Sequence, residues 1–308
     1  MEIKFAPSDL ENKVYLHKIS KTITDLSSTT DPLFFVRKMV HLSALLNSLD
    51  LDNSFPTIDE NLQDPTYFIV AYFDTKNMAE ALWVYRIVRS LTKYILLSDR
   101  YYETGNDRYA LAAKRVHRSV SGCLRSEPDA QYLIYSIDYS LRQFSAFWKF
   151  EQLIKGRIIN NHIFSYIEIR HYNLSKSSDA SLVYAKVLDA KLRSFNENVA
   201  LVLHYNQALL DIQDDWEDIE DDVRDDMPNI FVMAAIDKVP YSKIKKTRHD
   251  KIREVVLSET NASARLITRL VNETQASVKG ISIPSNFAFL KTLSDRYADT
   301  LRRKISSG

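Results

Sequence analysis

The sequence predicts an all-α fold, and three observations lead to that prediction. Apolar residues recur at helical spacing from end to end of the 308 residues, and no segment keeps the alternation of a half-buried strand. Only five glycines occur, too few for tight hairpins or for the glycine-rich loops that cradle nucleotide phosphates. Proline follows aspartate at Asp31-Pro32 and Asp64-Pro65, as it does in the first turn of a helix. Rossmann and P-loop folds are therefore excluded, and a bundle of about ten to twelve helices is expected, packed around a central cavity or a continuous core.

Helical periodicity is longest in three segments, which are predicted as long helices near 75–103, 128–155 and 197–226. Repeats, low-complexity tracts and Pro-, Gly- or Ser-rich linkers are all lacking, so residues 1–308 are expected to form a single domain. Shorter periodic segments predict further helices over 8–26, 31–48, 107–122, 159–175, 178–194, 242–257, 260–278 and 285–305.

The overall charge and the cysteine content limit the class of protein. Forty-one basic and forty acidic residues leave a formal net charge of +1, so no overall field draws the protein to nucleic acid. One cysteine, Cys123, excludes a disulfide framework and fits a reducing compartment. Charges interrupt the most apolar segments before they reach the length of a membrane span. These features predict a soluble cytoplasmic protein that binds no nucleic acid and is not an integral membrane protein.

The most unusual segment is QALLDIQDDWEDIEDDVRDDMPN at 207–229, which carries eight aspartates and two glutamates between Asp211 and Asp226. Aspartate forms helices less readily than glutamate, and like charges four residues apart repel, so solubility alone does not explain this composition. Short carboxylates at four-residue spacing suit Mg²⁺, a hard cation that takes oxygen ligands. A solvated acidic surface is the alternative. On a helical wheel, six aspartates share one face beside an apolar face: Asp211, Asp214, Asp215, Asp218, Asp222 and Asp225.

Residues Gln213 to Asp218, QDDWED, resemble the second aspartate-rich motif of the trans-isoprenyl diphosphate synthases, which belong to the class I terpenoid synthase superfamily. Members of that superfamily are all-α, and Mg²⁺ ions in them bridge acidic side chains and the diphosphate of an allylic substrate. The resemblance implies Mg²⁺ as the cofactor, with metal ligands at Asp214, Asp215, Asp218 and Asp222.

The superfamily carries a first acidic motif at the end of an earlier helix. The segment ILLSDRYYE resembles that motif in position. The resemblance implies metal ligands at Asp99 and Glu103, with Arg100 where a second aspartate is common. An ordinary helix end with an intrahelical charge pair is the alternative. Asp74 is another candidate acid, although its surroundings are typical of a helix N-cap.

Basic residues also lie where the superfamily holds the leaving group. Arg170 precedes the acidic run, where bacterial terpene cyclases carry an arginine that senses diphosphate. Arg296-Tyr297 follows it, where those cyclases carry an Arg-Tyr pair. The resemblance implies that Arg170, Arg296 and Tyr297 are catalytic and that, together with Arg224, they bind diphosphate.

The function that the resemblance implies is a terpene synthase of the cyclase type, a lyase that ionises a prenyl diphosphate to an allylic carbocation and releases diphosphate and a terpene. A chain-elongating trans-prenyltransferase is the first alternative, favoured by the DDxxD-like form of the motif and weakened by the lack of a G-K-x-x-R-P segment. A catalytically degenerate helical partner subunit and a plain acidic interaction module are the others. By analogy with the superfamily, a homodimer is an option. Aromatic residues that would line the cavity, or else pack in the core, are Phe73, Trp83, Tyr94, Phe147, Trp148, Tyr166 and Tyr205.

Overall fold

The computed structural model describes residues 18, 21, 22, 78–125, 130–176, 197–258, 261–284 and 288–307. Every regular element in these residues is a helix, and they contain no strand, which confirms the all-α prediction. The predicted helices over 31–48 and 178–194 lie outside the described residues, as does Asp74, and of the one over 8–26 only three residues are described. The predicted central cavity stays a prediction.

The chain divides into two compact units, Met1–Ser126 with Val187–Ser194 and Glu127–Lys186 with Phe195–Gly308. The prediction of a single domain stays a prediction, and each unit is described by itself. Among the described residues of both units, no helix is both long enough and apolar enough to cross a membrane.

The described part of the first unit is a helical hairpin of α1 (Met78–Thr104) and α2 (Asp107–Leu124). Gly105 ends α1 with a φ of 65°, in the left-handed region where glycine is favoured, and its N–H donates to the Tyr101 carbonyl over 2.8 Å. The Asn106 side chain then accepts a hydrogen bond from the Arg108 N–H and caps α2. The two helices match the segments predicted near 75–103 and 107–122.

The second unit contains the acidic run and nine α-helices in its described residues. The helix predicted over 197–226 is broken at Asp218, and the one predicted over 242–257 is broken before a 3₁₀ turn, His249–Lys251. The helices are α3 (Ala130–Ile159), α4 (Tyr166–Lys176), α5 (Glu197–Glu217), α6 (Ile219–Asp225), α7 (Ile230–Ala235), α8 (Tyr241–Lys246), α9 (Ile252–Ser258), α10 (Asn261–Gly280) and α11 (Phe289–Ser307).

The core of the second unit lies around α5, which packs against α4, α7, α10 and α11. Helix α7 is buried almost all round, so its sequence lacks the amphipathic period of a surface helix and does not predict it. Because α7 packs against α5, its first residue, Ile230, lies beside the acidic run. Fully buried apolar side chains of this core include Ile169, Tyr172, Leu209, Ile212, Phe231, Val271 and Leu301.

Candidate functional site

The acidic run folds as two helices that meet at Asp218, whose φ of −101° and ψ of 10° interrupt the helix. The backbone hydrogen bonds nevertheless continue across the break. The Asp218 N–H donates to the Asp214 carbonyl over 2.9 Å, and the Asp222 N–H donates to the Asp218 carbonyl over 2.8 Å. Asp214, Asp218 and Asp222 therefore stay on consecutive turns.

The ten acidic residues of the run fall into two groups with different surroundings. One group, the inner carboxylates, lies toward α4 and the start of α7; the other, the outer carboxylates, lies toward α8, α9 and the chain end. The inner carboxylates are Asp211, Asp214, Asp215, Asp218 and Asp222. The outer carboxylates are Glu217, Glu220, Asp221, Asp225 and Asp226.

Asp215 is the most deeply buried inner carboxylate, with 1% of its surface exposed. Lys176, the last residue of α4, donates from Nζ to Asp215 Oδ1 over 2.8 Å, and the same Nζ lies 3.6 Å from Asp214 Oδ2. The backbone N–H of Ile230, the first residue of α7, donates to Asp215 Oδ2 over 2.9 Å. Both oxygens of Asp215 are thus in use, one by an ammonium group and one by a helix N-terminus.

Asn229 joins the two acidic helices to α7. Its Oδ1 accepts from the Phe231 N–H over 2.9 Å and caps α7. Its Nδ2 donates to the Asp215 carbonyl over 2.6 Å and to Asp222 Oδ2 over 2.8 Å. Because Asn229 is fully buried, this one amide holds Asp222 in place against α5. Asp211 is held within its own helix, where Gln207 Nε2 donates to its Oδ1 over 2.9 Å.

The inner carboxylates differ in solvation: Asp215 is buried, Asp214 and Asp222 are partly buried, and Asp218 is exposed. Burial and the charge of Asp215 raise the pKa of Asp222 to about 8. Desolvation and the charge of Asp214 raise the pKa of Asp218. Burial alone would lower the pKa of Lys176, but the charges of Asp215 and Asp214 outweigh it and raise that pKa well above its usual range. Additional positive charge, from a proton or a metal ion, is therefore stabilised in this group.

The outer carboxylates meet a basic segment, residues 243–253 (KIKKTRHDKIR), which the sequence analysis did not connect with them. Arg253 NH2 lies 2.7 Å from Glu220 Oε2, and its guanidinium carbon lies 5.1 Å from the centre of the Trp216 ring. Lys245 Nζ lies 2.7 Å from Asp226 Oδ1. The lysines that the acidic run itself lacks are thus supplied by a segment about twenty residues further along the chain.

The remaining outer carboxylates also lie beside basic groups. Arg224 NH1 lies 2.6 Å from Asp221 Oδ1, and Arg224 Nε donates to Asp225 Oδ1 over 3.1 Å. His249 Nε2 lies 3.3 Å from Asp221 Oδ1. Lys304 on α11 donates to Glu217. Arg224, predicted as a diphosphate ligand, is placed in this exposed network.

Arg170, the predicted diphosphate sensor, lies on the face of α4 that is directed toward α10. The Tyr166 hydroxyl, one turn away, donates to Glu273 Oε2 over 2.6 Å. Hydrogen bonds from Tyr166 and Arg269, together with the charges of Arg269 and Arg170, lower the pKa of Glu273. Lys176 is the α4 residue that contacts the inner carboxylates, and sequence reasoning missed it. The role assigned to Arg170 stays a prediction.

The other predicted site residues are dispersed over the two units. Arg296 is exposed on α11, and Tyr297 beside it packs against the core. Asp99 and Glu103 belong to α1 in the first unit, where Arg100 NH1 donates to Glu103 Oε2 over 3.2 Å. A metal site that joins Asp99 and Glu103 to the inner carboxylates stays a prediction.

The described residues show which of the inner carboxylates are accessible to a cation. In the described ranges, no three His, Cys, Asp or Glu side chains come together as a metal centre. Asp215 and Asp222 are turned to Lys176 and Asn229, whereas Asp214 and Asp218 are more accessible. Magnesium is commonly held by one or two carboxylates plus water and substrate phosphate oxygens. Ligation of Mg²⁺ by Asp214 and Asp218 stays a prediction.

The site is interpreted from its own residues, because comparisons with known proteins found no match. No protein-family model matches the chain, and no curated protein matches it either. The resemblance of 213–218 to an aspartate-rich motif thus rests on those residues and on their surroundings.

Proposed function

We propose that the chain is a Mg²⁺-dependent enzyme of the class I terpenoid synthase type, which ionises an allylic prenyl diphosphate and releases diphosphate and a terpene. The observation that carries the proposal is the pair Asp214 and Asp218, one helical turn apart beside a helix break. Their mutual repulsion adds to desolvation in raising the pKa of Asp218, so a divalent cation would be stabilised between them.

Magnesium, when bound, would neutralise the diphosphate and make it a better leaving group. Asp214 and Asp218 would hold the ion with hard oxygen ligands, and Arg170, Arg296 and Tyr297 are the proposed donors to the diphosphate oxygens. Each guanidinium offers a planar pair of N–H groups that matches phosphate geometry. The chain's own contribution is thus charge placement rather than proton transfer.

Aromatic side chains beside Lys176 support this chemistry. Tyr172 is fully buried on α4, with the Phe147 ring centre at 5.9 Å and the Phe150 ring centre at 6.3 Å. Ring faces in a dry environment stabilise a carbocation and protect it from water. Of the other aromatic candidates, Trp148 is buried in the core, and the side chains of Phe73 and Trp83 lie outside the described residues.

Two other functions have an observation in their favour. The DDxxD-like spacing at 214–218 favours a chain-elongating prenyltransferase, which would need isopentenyl diphosphate as co-substrate. The hydrogen bond from Arg100 to Glu103 occupies a carboxylate of the first acidic motif and favours a non-catalytic partner subunit. The test below distinguishes all three.

The test is an assay of diphosphate release by the purified full chain with Mg²⁺ and geranyl, farnesyl or geranylgeranyl diphosphate. Release without isopentenyl diphosphate, with a terpene in the organic extract, is the expected result. Release only with isopentenyl diphosphate, together with a longer prenyl product, would replace the cyclase with the transferase. Chelation by EDTA is expected to abolish the signal, because the ion supplies most of the charge neutralisation.

A binding control covers the case in which no substrate is turned over. Mg²⁺ with inorganic diphosphate is expected to raise the melting temperature, because a ligand that binds the folded state alone stabilises it. If neither turnover nor this thermal shift is seen, the enzyme proposals are both wrong.

A further inference from the structure

Helix α3 is apolar on two opposite faces. On one face, side chains such as Ile137 and Leu141 are buried. A surface helix normally carries charged and polar residues on the face opposite its buried one. On α3 that opposite face carries three tyrosines instead, and Tyr132 is 69% exposed, Tyr135 63% and Tyr139 47%. Helix α3 therefore presents an aromatic surface to solvent.

The three tyrosines begin a series whose members are alternately three and four residues apart. This is the spacing of the a and d positions of a coiled coil, which line one face of a helix. Every member of the series is exposed, and the series extends about 26 Å along α3. We call this surface the tyrosine face, and its residues are Tyr132, Tyr135, Tyr139, Arg142, Ala146 and Lys149.

The area of the tyrosine face is that of an association surface. At roughly 200 Å² for a tyrosine side chain, the exposed parts of the three tyrosines add up to about 350 Å². Exposed apolar patches of that size often mark a site of association. A standard interface buries about 800 Å² on each partner, so the tyrosines alone supply nearly half of what a stable dimer needs.

The residues of the tyrosine face also complement one another when a second copy of α3 lies antiparallel to the first. In that orientation an a position of one helix faces a d position of the other, and both copies use the same surface. A large side chain then meets a small one in one layer, and a cation meets an aromatic ring in the other two. The facing pairs are Tyr135 with Ala146, Tyr139 with Arg142, and Tyr132 with Lys149.

Two further observations favour the antiparallel copy. Within one chain, the guanidinium carbon of Arg142 already lies 6.0 Å from the centre of the Tyr135 ring, so cations and tyrosine rings are neighbours on this face. A parallel copy would instead place Arg142 opposite Arg142 and Lys149 opposite Lys149. Like charges that face each other across an interface are unfavourable.

We propose that the tyrosine face binds a second copy of this chain, with the two α3 helices antiparallel and Tyr135 of each copy packed on Ala146 of the other. The inference goes beyond the proposed function and does not depend on it. The assembly is therefore measured without Mg²⁺ or prenyl diphosphate.

The first arm of the test measures the mass of the full chain by analytical ultracentrifugation. At about 100 µM the wild type is expected to sediment with twice the mass of one chain, which is 35.7 kDa. Tyr135→Glu is expected to raise the dimer dissociation constant about tenfold or more, because its carboxylate is desolvated against Ala146. The control is Leu111→Glu, at a 55% exposed residue of α2, which should stay within about threefold of the wild type.

The second arm measures the orientation of the two helices by cross-linking with a short bismaleimide. The single cysteine is first removed by Cys123→Ser. Tyr135→Cys and Ala146→Cys are then made in separate chains, which are expected to cross-link when mixed and not when each is alone. In the antiparallel dimer, two copies of position 135 lie about 16 Å apart along the helix axis, whereas position 135 of one copy faces position 146 of the other.

Each alternative result overturns the proposal. A wild type that is monomeric at about 100 µM shows that a second copy does not cover this face, and equal effects of Tyr135→Glu and Leu111→Glu show that α3 is not the contact. Efficient cross-linking of Tyr135→Cys alone shows a parallel pair. If Tyr135→Glu does not fold, Lys149→Glu replaces it and is expected to weaken the dimer at least about threefold, because an anion then meets the Tyr132 ring face.

Discussion

The inner and outer carboxylates occupy the same two helices but differ in how their charge is balanced. Each outer carboxylate lies beside a basic side chain, and most of these pairs are well exposed, such as Arg224 with Asp221 at 58% and 54% of their side-chain surface. The inner carboxylates share Lys176, and Asp215 is almost completely buried. Aspartate and glutamate side chains on the same two helices thus differ in burial and in the basic groups that balance their charge.

The difference shows that charge density alone does not identify a binding site. Exposed ion pairs are screened by water and contribute little to folding stability, so the outer carboxylates have the character of a solvated surface. Desolvated like charges raise one another's pKa and retain an attraction for a cation. A cation site in this run is therefore predicted among the inner carboxylates rather than among the outer ones.

The largest difference is expected when two carboxylates are removed either from the inner carboxylates or from the outer carboxylates. Asp214→Asn with Asp218→Asn is expected to lower turnover of the prenyl diphosphate by about 100-fold or more, because the cation loses its ligands. The measurement is diphosphate release at saturating Mg²⁺. Loss of repulsion should leave the metal-free protein equally stable or slightly more stable.

The matched control is Asp221→Asn with Asp225→Asn, the same substitutions at the same spacing on the outer side. Turnover is expected to stay within about threefold, because these carboxylates are exposed and paired with Arg224. Equal losses in both double variants would remove the distinction between the two halves.

Much of the fold was predictable, because helix α1 and the long helices α3 and α10 carry clear apolar periodicity. The carboxylate stripe was predictable for the same reason. The break at Asp218 was not, since the acidic and apolar periods continue through it. Its position depends on the tertiary contacts of Asn229 with both helices.

The partners of the stripe were not predictable either. Lys176 and Asp215 are far apart in sequence, and their contact exists only because α4 packs against α5. The basic segment 243–253 is visible in the sequence, but its pairing with Glu220 and Asp226 depends on the path of the chain through α7. Local patterns identify candidate charges, whereas tertiary packing determines which of them are neutralised.

Arg253 offers a second test, because it combines an ion pair, a hydrogen bond to the backbone and a contact with an aromatic ring. Its NH2 donates to the Glu217 carbonyl over 3.1 Å and to Glu220 Oε2 over 2.7 Å, and its guanidinium stacks on Trp216. Arg253→Ala is expected to lower the free energy of unfolding by about 1–2 kcal/mol, through lost cation–π and hydrogen-bond energy. Urea denaturation followed by circular dichroism measures this change.

Arg248→Ala is the control for Arg253→Ala. Arg248 pairs with Asp250, and the two side chains are 75% and 59% exposed, so no measurable change in the free energy of unfolding is expected. A similar loss in both variants would mean that the packing of Arg253 on Trp216 contributes nothing.

Asp222 gives a third test, in the pH dependence of stability. Its pKa is about 8 in the folded protein against 3.8 for an ordinary aspartate, so the folded state holds a proton that the unfolded state releases. Stability is therefore expected to fall as pH rises between about 4 and 8. Asp222→Asn removes this dependence and keeps an oxygen acceptor for Asn229. Because each unit of pKa shift corresponds to about 1.4 kcal/mol, the substitution is expected to raise the free energy of unfolding at pH 7.5 by at least about 1 kcal/mol.

Unfolding midpoints of the wild type and Asp222→Asn at pH 5 and pH 7.5 measure the effect. The gain should shrink toward the lower pH, because the aspartate is then protonated more fully in both states. Asp221→Asn on the outer side is the control and should show no such trend. A gain for Asp222→Asn that is the same at both pH values would assign it to packing rather than to charge.

The smallest effect on stability and turnover is expected for Arg224→Ala. This variant tests whether Arg224 only pairs with the outer carboxylates or also binds diphosphate. Arg224 is 58% exposed and pairs with Asp221 and Asp225, so its removal should leave the free energy of unfolding unchanged within measurement error. As a member of the outer network, it is also expected to leave KM for the prenyl diphosphate within about threefold. A rise in KM of about tenfold with unchanged stability would instead show that the guanidinium leaves its two aspartates to bind diphosphate. In that case the substrate, and not the fold alone, would determine whether Arg224 pairs with the outer carboxylates.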